Sequence, residues 1–349
     1  MKSLVIYFLF FYVNILYTSE YIYPVAFLCN GEIILYIHQH NLKHLELCEW
    51  NTKTNYIQPI LWSQFTPANF LLLPDNSGFS FIDNGRLRIK LFQKRSPKAI
   101  DFDEPIITIN SLTWINAQTC YCSAQQNNNF GLFQLQDNGT IKCLIAKNNR
   151  DYLYPQKIND YVFCIKRSID QGISKIINYK IMKYLYNKNN SLKGAELIID
   201  CGNTPLIFLK MISDQEGFVL EYTQNIDSDN PTIVFSYHHL IQEDNIWHKN
   251  IIFYFQIPTH LLLENKDQLY ESLLPLLPQI VDNKVYFVDC SKNHNNYLEV
   301  FFYDISTKAI EQIALPEKNG HYFVPLLCGK KFYCGGTLDV TQKIPLFCF

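Results

Sequence analysis

LPQIVDNKVYFVDCSKNHNNYLEVFFYDISTKAIEQIAL, residues Leu277 to Leu315, is the stretch whose reading decides the fold. Gln279-Ile280-Val281 is a β-prone run stopped by Asp282-Asn283, a pair that tolerates positive φ. Lys284 to Val288 returns as a second strand of β-branched and aromatic residues, which suit a pleated, packed surface. The polar tract Ser291 to Asn296 breaks the pattern. Leu298 to Tyr303 then makes a third strand, Asp304 to Thr307 a turn, and Ala309 to Leu315 a fourth. A sheet of four short strands cannot hide both of its faces, so the unit needs neighbours to stack against.

Weaker copies of its first hairpin recur along the chain. Pro24 to Cys29 pairs with Glu32 to His38 across Asn30-Gly31, a strong hairpin signal. Phe70 to Leu73 faces Gly78 to Ile82, and Ser111 to Ile115 faces Thr119 to Ala124. Tyr154 to Ile158 faces Tyr161 to Lys166 across Asn159-Asp160, and Leu206 to Ile212 faces Gly217 to Thr223. The last copy is Phe323 to Cys328 with Lys331 to Cys334. Counting the reference, these hairpins start roughly 40 to 50 residues apart with one longer gap, the period of propeller blades. The prediction is an all-β, seven-bladed β-propeller, with a six-bladed ring as the alternative. The seventh copy ends with Ile344 to Phe349 and has three strands, and Glu20 to Tyr23 is expected to supply its fourth. Joining the termini in one blade removes open sheet edges.

With the repeats laid out, the chain resembles the WD40-like and TolB-like β-propeller superfamily. Trp50-Asn51 and Tyr303-Asp304 stand nearest to the Trp-Asp dipeptide of the first group. Leu73-Pro74-Asp75-Asn76 stands nearest to the repeat turn of the second. The resemblance implies an architecture and no particular activity.

Residues 1–19 read as a signal peptide: Lys2, an apolar run from Leu4 to Tyr17, then small polar residues. Residues 20–349 are assigned to the propeller. Hydrophobic residues make up 48% of the chain and aromatic ones 15%, ample material for one large core. A net charge of −2 argues against general nucleic-acid binding, which needs many phosphate-neutralising cations. No later segment is expected to span a membrane. The extra sequence between Asn225 and Pro275 is read as an extended outer strand pair followed by a short helical insertion, LLLENKDQLYESLL, in blade five.

Motifs for chemistry are few. There is no GxSxG, HExxH, CxxC or phosphate-cradling glycine loop, so no catalytic residue, cofactor or metal is assigned. His38, His40 and His44 cluster at a strand end without further ligands fixed. Arg86, Arg88 and Lys90 alternate with Leu87, Ile89 and Leu91, as expected of an outer strand with a solvated charged face. Of eleven cysteines most lie within strand patterns, where cysteine acts as a small buried hydrophobe. Cys29 and Cys328 hold matching places in the first and seventh hairpins, where a disulfide would staple the closure; an oxidising compartment favours such bridges, so a set of cysteines with no framework spacing counts against export. Asn138-Gly139-Thr140 and Asn189-Asn190-Ser191 fit the N-glycosylation pattern.

The function expected is a monomeric, non-catalytic binding or scaffold propeller, secreted or periplasmic, that docks a protein, peptide or glycan on its loop rim. Trp62, Phe65, Arg150, Tyr237, His238 and Trp247 are its candidate anchors, because aromatic and Arg side chains dominate interfaces. The alternative is a carbohydrate-active hydrolase or lyase with paired carboxylates at a central channel; Asp101, Asp103 and Glu104 form one acidic cluster.

Overall fold

The computed structural model describes residues 21–28, 32–41, 44–63, 68–83, 86–94, 96–101, 106–126, 129–146, 150–170, 175–186, 192–225, 231–258, 278–281, 283–289, 299–313, 322–328, 331–337 and 347–348. Every regular element among them is a β-strand. The strands form six antiparallel sheets, numbered here as blades. Blade 1 holds β1 (Tyr21–Leu28), β2 (Ile33–Asn41), β3 (His44–Asn51) and β4 (Tyr56–Ser63). Blade 2 holds β5 (Ala68–Leu72), β6 (Gly78–Asp83), β7 (Arg86–Leu91) and β8 (Lys98–Ala99). Blade 3 holds β9 (Ile106–Asn116), β10 (Thr119–Gln126), β11 (Asn129–Gln136) and β12 (Ile141–Ala146). Blade 4 holds β13 (Arg150–Ile158), β14 (Tyr161–Asp170), β15 (Lys175–Tyr186) and β16 (Leu192–Gly202). Blade 5 holds β17 (Leu206–Met211), β18 (Glu216–Asn225), β19 (Thr232–Glu243) and β20 (Ile246–Pro258). Blade 6 holds β21 (Gln279–Val281), β22 (Lys284–Asp289), β23 (Glu299–Asp304) and β24 (Ile310–Ile313). The remaining strands are β25 (Tyr322–Cys328), β26 (Lys331–Thr337) and β27 (Phe347–Cys348).

All seven expected hairpins form, but they make six blades rather than seven. The seventh hairpin, β25–β26, belongs to the same sheet as the first: β1 pairs with β26 at Tyr21↔Thr337 and Ile22↔Gly336, while the whole of β1 also pairs with β2. The N-terminal strand was expected to complete a separate blade. Instead it is common to both hairpins, because one strand has two hydrogen-bonding edges and the second edge carries the sheet on into β2. The predicted signal peptide and helical insertion lie outside the described residues. The strand-pair half of the blade-five extension is β19–β20, whose turn places both Asp244 (φ 50°) and Asn245 (φ 62°) in the left-handed region that tight hairpins need.

Contacts divide the chain into two compact units, residues 1–70, 93–97 and 273–349 in one and residues 71–92 and 98–272 in the other. Within the second unit successive sheets pack face to face. Cys120 and Cys122 of β10 join Ile82, Leu87 and Ile89 of blade 2, while Tyr121 between them joins Tyr152, Val162, Cys164 and Met182 of blade 4. In the same place one blade later, Phe163 and Ile165 of β14, on either side of Cys164, turn the other way, onto Leu206, Leu209, Met211 and Val219 of blade 5. Side-chain alternation thus feeds two cores from one strand. In blade 2 the closest approach is at Gly78, where a Cβ would lie 2.2 Å from the Lys90 carbonyl oxygen, so only glycine fits.

Polar side chains also tie the blades of this unit together. Trp114 Nε1 donates to Ser80 Oγ at 2.6 Å, and the Tyr154 amide donates to Ser111 Oγ at 2.9 Å. Gln156 donates through Nε2 to the Leu209 carbonyl (2.6 Å) and accepts at Oε1 from the Met211 amide (2.9 Å), standing in for a strand between β13 and β17. The Tyr154 and Gln156 links sit at a bulge in β13 where Tyr154 has φ 51°, a strained value for a bulky residue that is held there by its neighbours.

In the first unit, Trp50 Nε1 donates to Asn55 Oδ1 at 3.0 Å across the β3–β4 turn. Phe287 stacks on Phe301, and Lys284 Nζ lies 3.9 Å from the Phe302 ring centroid.

The basic stripe on β7 differs from expectation. Arg86 is exposed, but Arg88 is half-buried and pairs through Nε with Asp83 Oδ2 at 2.8 Å, and Lys90 is fully buried with Nζ donating to the Leu91 carbonyl at 3.2 Å. Where both faces of a sheet are covered, alternation no longer sends every second residue to solvent.

Candidate functional site

Blade 5 carries the densest group of titratable side chains. His238 and His239 are consecutive on β19 and therefore point to opposite faces. His238 Nε2 lies 2.8 Å from Glu221 Oε1, and Lys249 Nζ of β20 donates to Glu221 Oε2 at 2.7 Å. On the other face His239 Nε2 lies 2.7 Å from Glu216 Oε1, with its ring stacked on Phe218 at 4.8 Å and 12°. Each histidine meets a β18 carboxylate two positions along from its direct cross-strand partner, the diagonal relation that long side chains can span. Burial pushes the Glu221 carboxyl up, but hydrogen bonds from His238 and Lys249 outweigh it and hold the group below the usual carboxylate range. Both histidines are buried. Among the described residues, His238 Nδ1 and Trp247 Nε1 have no hydrogen-bond partner.

A second buried carboxylate, Asp151, sits at the junction of blades 3 and 4. Its Oδ1 accepts from Ser123 Oγ and from the Tyr152 amide, both at 2.8 Å. Its Oδ2 accepts from Arg167 Nε at 2.9 Å and Nη2 at 2.6 Å, with Asn110 Nδ2 at 3.5 Å. Asp151 and Glu221 are thus engaged at both oxygens, which suits anchoring more than proton transfer. Neither network was anticipated from the sequence. Their signal was there: a lone charge inside an apolar strand run, as in Phe218-Val219-Leu220-Glu221-Tyr222.

Most of the described cysteines are sealed from solvent. Cys48, Cys120, Cys122 and Cys164 are buried, Cys201 is half-buried and Cys143 is exposed. Burial alone pushes Cys120 up to about 12, and burial first, then the nearby Glu46 carboxylate, raises Cys48 to about 12. Cys29 and the Cys328 side chain lie outside the described residues. Of the histidine cluster, His38 Nδ1 lies 4.0 Å from Glu46 Oε2, while the side chains of His40 and His44 are outside. Among the described residues no group of His, Cys, Asp and Glu has a metal-binding arrangement. Asp101 is exposed; Asp103 and Glu104 fall outside.

The six candidate anchors are dispersed. Trp62, on β4, is 61% exposed. Arg150 opens β13, half-buried against the phenols of Tyr152 and Tyr184. Tyr237 and His238 are buried inside blade 5, so they present no surface, and Trp247 is half-buried against the core between blades 4 and 5. Phe65 lies outside the described residues.

The apolar groups that do reach the surface gather on outer strands. β20 ends the order β17-β18-β19-β20, and among the described residues no strand pairs with its outer edge. Along its 13 residues Ile246 (61%), Ile251 (63%) and Tyr254 (60%) are exposed, as are His248, Asn250 and Gln256. None of these is an acid, Lys or Arg; Lys249 points inward to Glu221. Four other outer strands are blunted by shortness (β8, two residues; β24, four) or by exposed charge, Lys142 on β12 and Lys193 and Glu196 on β16; β4, the outer strand of blade 1, is also uncharged and exposes Tyr56, Ile57 and Trp62, but Pro59 removes an N–H from its edge.

The sequence matches no protein-family description and no curated protein. Solved structures do resemble the fold. A Mycobacterium tuberculosis puromycin-hydrolyzing peptidase aligns with 93% of this chain at TM-score 0.60 and 8% identity; the chain spans 52% of that protein's length. The β-propeller domain of the Trilobed protease from Pyrococcus furiosus aligns over 91% of this chain and 92% of its own at TM-score 0.51 and 11% identity. An oligogalacturonate lyase in complex with manganese aligns over 90% and 88%, at TM-score 0.55 and 8% identity. Likeness at such identity shows the fold alone. Six antiparallel sheets, blades 2 to 5 of them packed face to face in succession, and this set of structural relatives make the fold of the chain that of a β-propeller.

Proposed function

We propose that this propeller is an exported, non-catalytic binding protein whose partner is a polypeptide, held along the outer edge of blade 5. The observation that carries this reading is the β20 edge: long, unpaired among the described residues, uncharged at its exposed positions and studded with Ile246, Ile251 and Tyr254. An open strand edge offers a row of N–H and C=O groups, and the occupant that satisfies such a row is an extended chain segment. The absence of exposed acidic, Lys or Arg residues on β20 fits a segment of alternating apolar and neutral polar residues. Trp62 and Arg150 are kept as further contact candidates because part of each side chain is accessible. Tyr237 and His238 become supports, fixing β19 behind the edge.

The test compares the full-length protein with Ile251→Lys/Tyr254→Lys in affinity capture from its native extract, each captured protein being re-tested as a purified pair. A partner that binds the parent protein and loses at least tenfold in affinity with the double variant supports the reading. Equal affinity for both overturns the placement. A glycan retained equally by both, with no protein captured, overturns the choice of partner. The carbohydrate-active alternative needs paired carboxylates open to a substrate, and the two buried carboxylates are already engaged, Asp151 by Arg167 and Glu221 by Lys249 and His238.

A further inference from the structure

We propose that Asn138 is the attachment point of an N-linked oligosaccharide, an inference independent of where the partner binds. Asn138-Gly139-Thr140 forms the turn between β11 and β12 at the outer side of blade 3. Both Asn138 and Thr140 are exposed. Asn138 Oδ1 accepts from the Thr140 amide at 3.0 Å, the Gly139 amide donates to the Gln136 carbonyl at 3.0 Å, and the Gln136 amide donates to the Thr140 carbonyl at 3.0 Å. The side-chain oxygen is thereby tied into the turn. Among the described residues Asn138 Nδ2 and Thr140 Oγ1 have no hydrogen-bond partner, so the two groups an acceptor triplet must present are both left to solvent. Gly139 stands at φ 94°, which a residue with a Cβ resists, and it adds no side chain between the two.

Comparable turns elsewhere on the molecule isolate what matters. Asp304 Oδ1 accepts from the Ser306 and Thr307 amides in the β23–β24 turn, and Asp75 Oδ1 accepts from the Ser77 amide in the β5–β6 turn. Both have a hydroxyl residue two positions on, but a carboxylate where the amide is needed. Asn116 accepts from the Gln118 amide, with an amide first and no hydroxyl to follow. Among the described turns of this type, the β11–β12 turn combines both.

The step is a glycosyl transfer. Asn138 Nδ2 attacks the anomeric carbon of an oligosaccharide carried on a polyisoprenyl pyrophosphate. The new C–N bond forms as the C–O bond to pyrophosphate breaks, the amide nitrogen loses one proton, and the lipid pyrophosphate leaves. This requires the chain to enter a compartment that holds the transferase and its lipid donor, in line with the leader-like start of the sequence.

The full-length chain carrying Asn189→Gln, which removes the second triplet, is translated in a cell-free eukaryotic system with microsomal membranes. The expected result is one mass increment that endoglycosidase removes, lost in Asn138→Gln and Thr140→Ala and kept in Thr140→Ser. Asp304→Asn, which places an amide in the matching turn of blade 6, is expected to add a second increment. Peptide N-glycosidase treatment in heavy-oxygen water should label position 138, separating enzymatic release from spontaneous deamidation of the Asn-Gly bond. No increment at Asn138 while Asp304→Asn gains one overturns the proposal. So does an increment that survives Asn138→Gln, or a chain that stays outside the membranes and is digested by added protease.

Discussion

Gln156 shows how much of this fold rests on single polar side chains. Its amide satisfies a buried carbonyl and a buried amide of β17 that no neighbouring strand reaches. Gln156→Leu keeps the volume and strands both groups, each at a cost of about 1–3 kcal/mol, so a loss of roughly 2–5 kcal/mol is expected in denaturant unfolding. Gln156→Glu tests the same point, because its carboxylate accepts from the Met211 amide but repels the Leu209 carbonyl. Glu221 makes a pH-dependent contribution. Its folded pKa is depressed, so the stability it supplies is present above its unfolded value, about 4.3, and is lost as pH falls through the folded one. Glu221→Gln should therefore lower stability at neutral pH by about 2 kcal/mol and flatten the acid limb of the stability profile. A profile parallel to that of the parent protein would remove Glu221 from the acid response. The thiols make a third case. In the native protein at pH 8, peptide mapping should find Cys143 alkylated first among the six described cysteines. Cys120, Cys122 and Cys164 should react only on unfolding, since burial disfavours their thiolates.

At the scale of the strand, what can be read from sequence is what is local. Asn159 turns the chain at positive φ between β13 and β14, the hairpin read there from Asn159-Asp160, and Asp244 and Asn245 do the same between β19 and β20. Burial was harder to read. Tyr237 and His238 were both expected at the surface; alternation sends them to opposite faces of β19, yet both are buried. Lys90 misleads in the same way. A period of two identifies faces, and only the packing of neighbouring sheets decides whether a face meets water. The exposed edge escaped notice for the complementary reason: β20 reads as strongly apolar, and apolar strands are expected inside. Among the described residues β20 lacks an interior proline like that of β4 and the exposed charges or shortness that blunt β8, β12, β16 and β24, so Ile251→Lys should reduce self-association at high concentration without lowering the unfolding midpoint by more than about a degree or two. Light scattering against concentration, beside thermal unfolding, measures both effects.

Across the whole chain the decisive contact joins its two ends. Tyr21 pairs with Thr337 and Ile22 with Gly336, and this one contact turns seven hairpins into six sheets. The repeats did place Glu20 to Tyr23 beside the last hairpin; what they did not show is that Tyr21–Leu28 is one strand, shared with the first hairpin, so each hairpin was counted as its own blade. Closing so long a loop is entropically demanding, which makes the β1–β26 joint a late and costly step in folding. A covalent bond there removes that cost from the unfolded chain. Ile22 and Gly336 lie directly opposite in an antiparallel pair, a Cα spacing that a disulfide can bridge. Ile22→Cys with Gly336→Cys should therefore raise unfolding stability by about 3–5 kcal/mol when oxidised, falling to or below the parent value when reduced. A cross-link that forms without stabilising would mean that the ends already meet in the unfolded chain. In that case the joint would belong to the first events of folding.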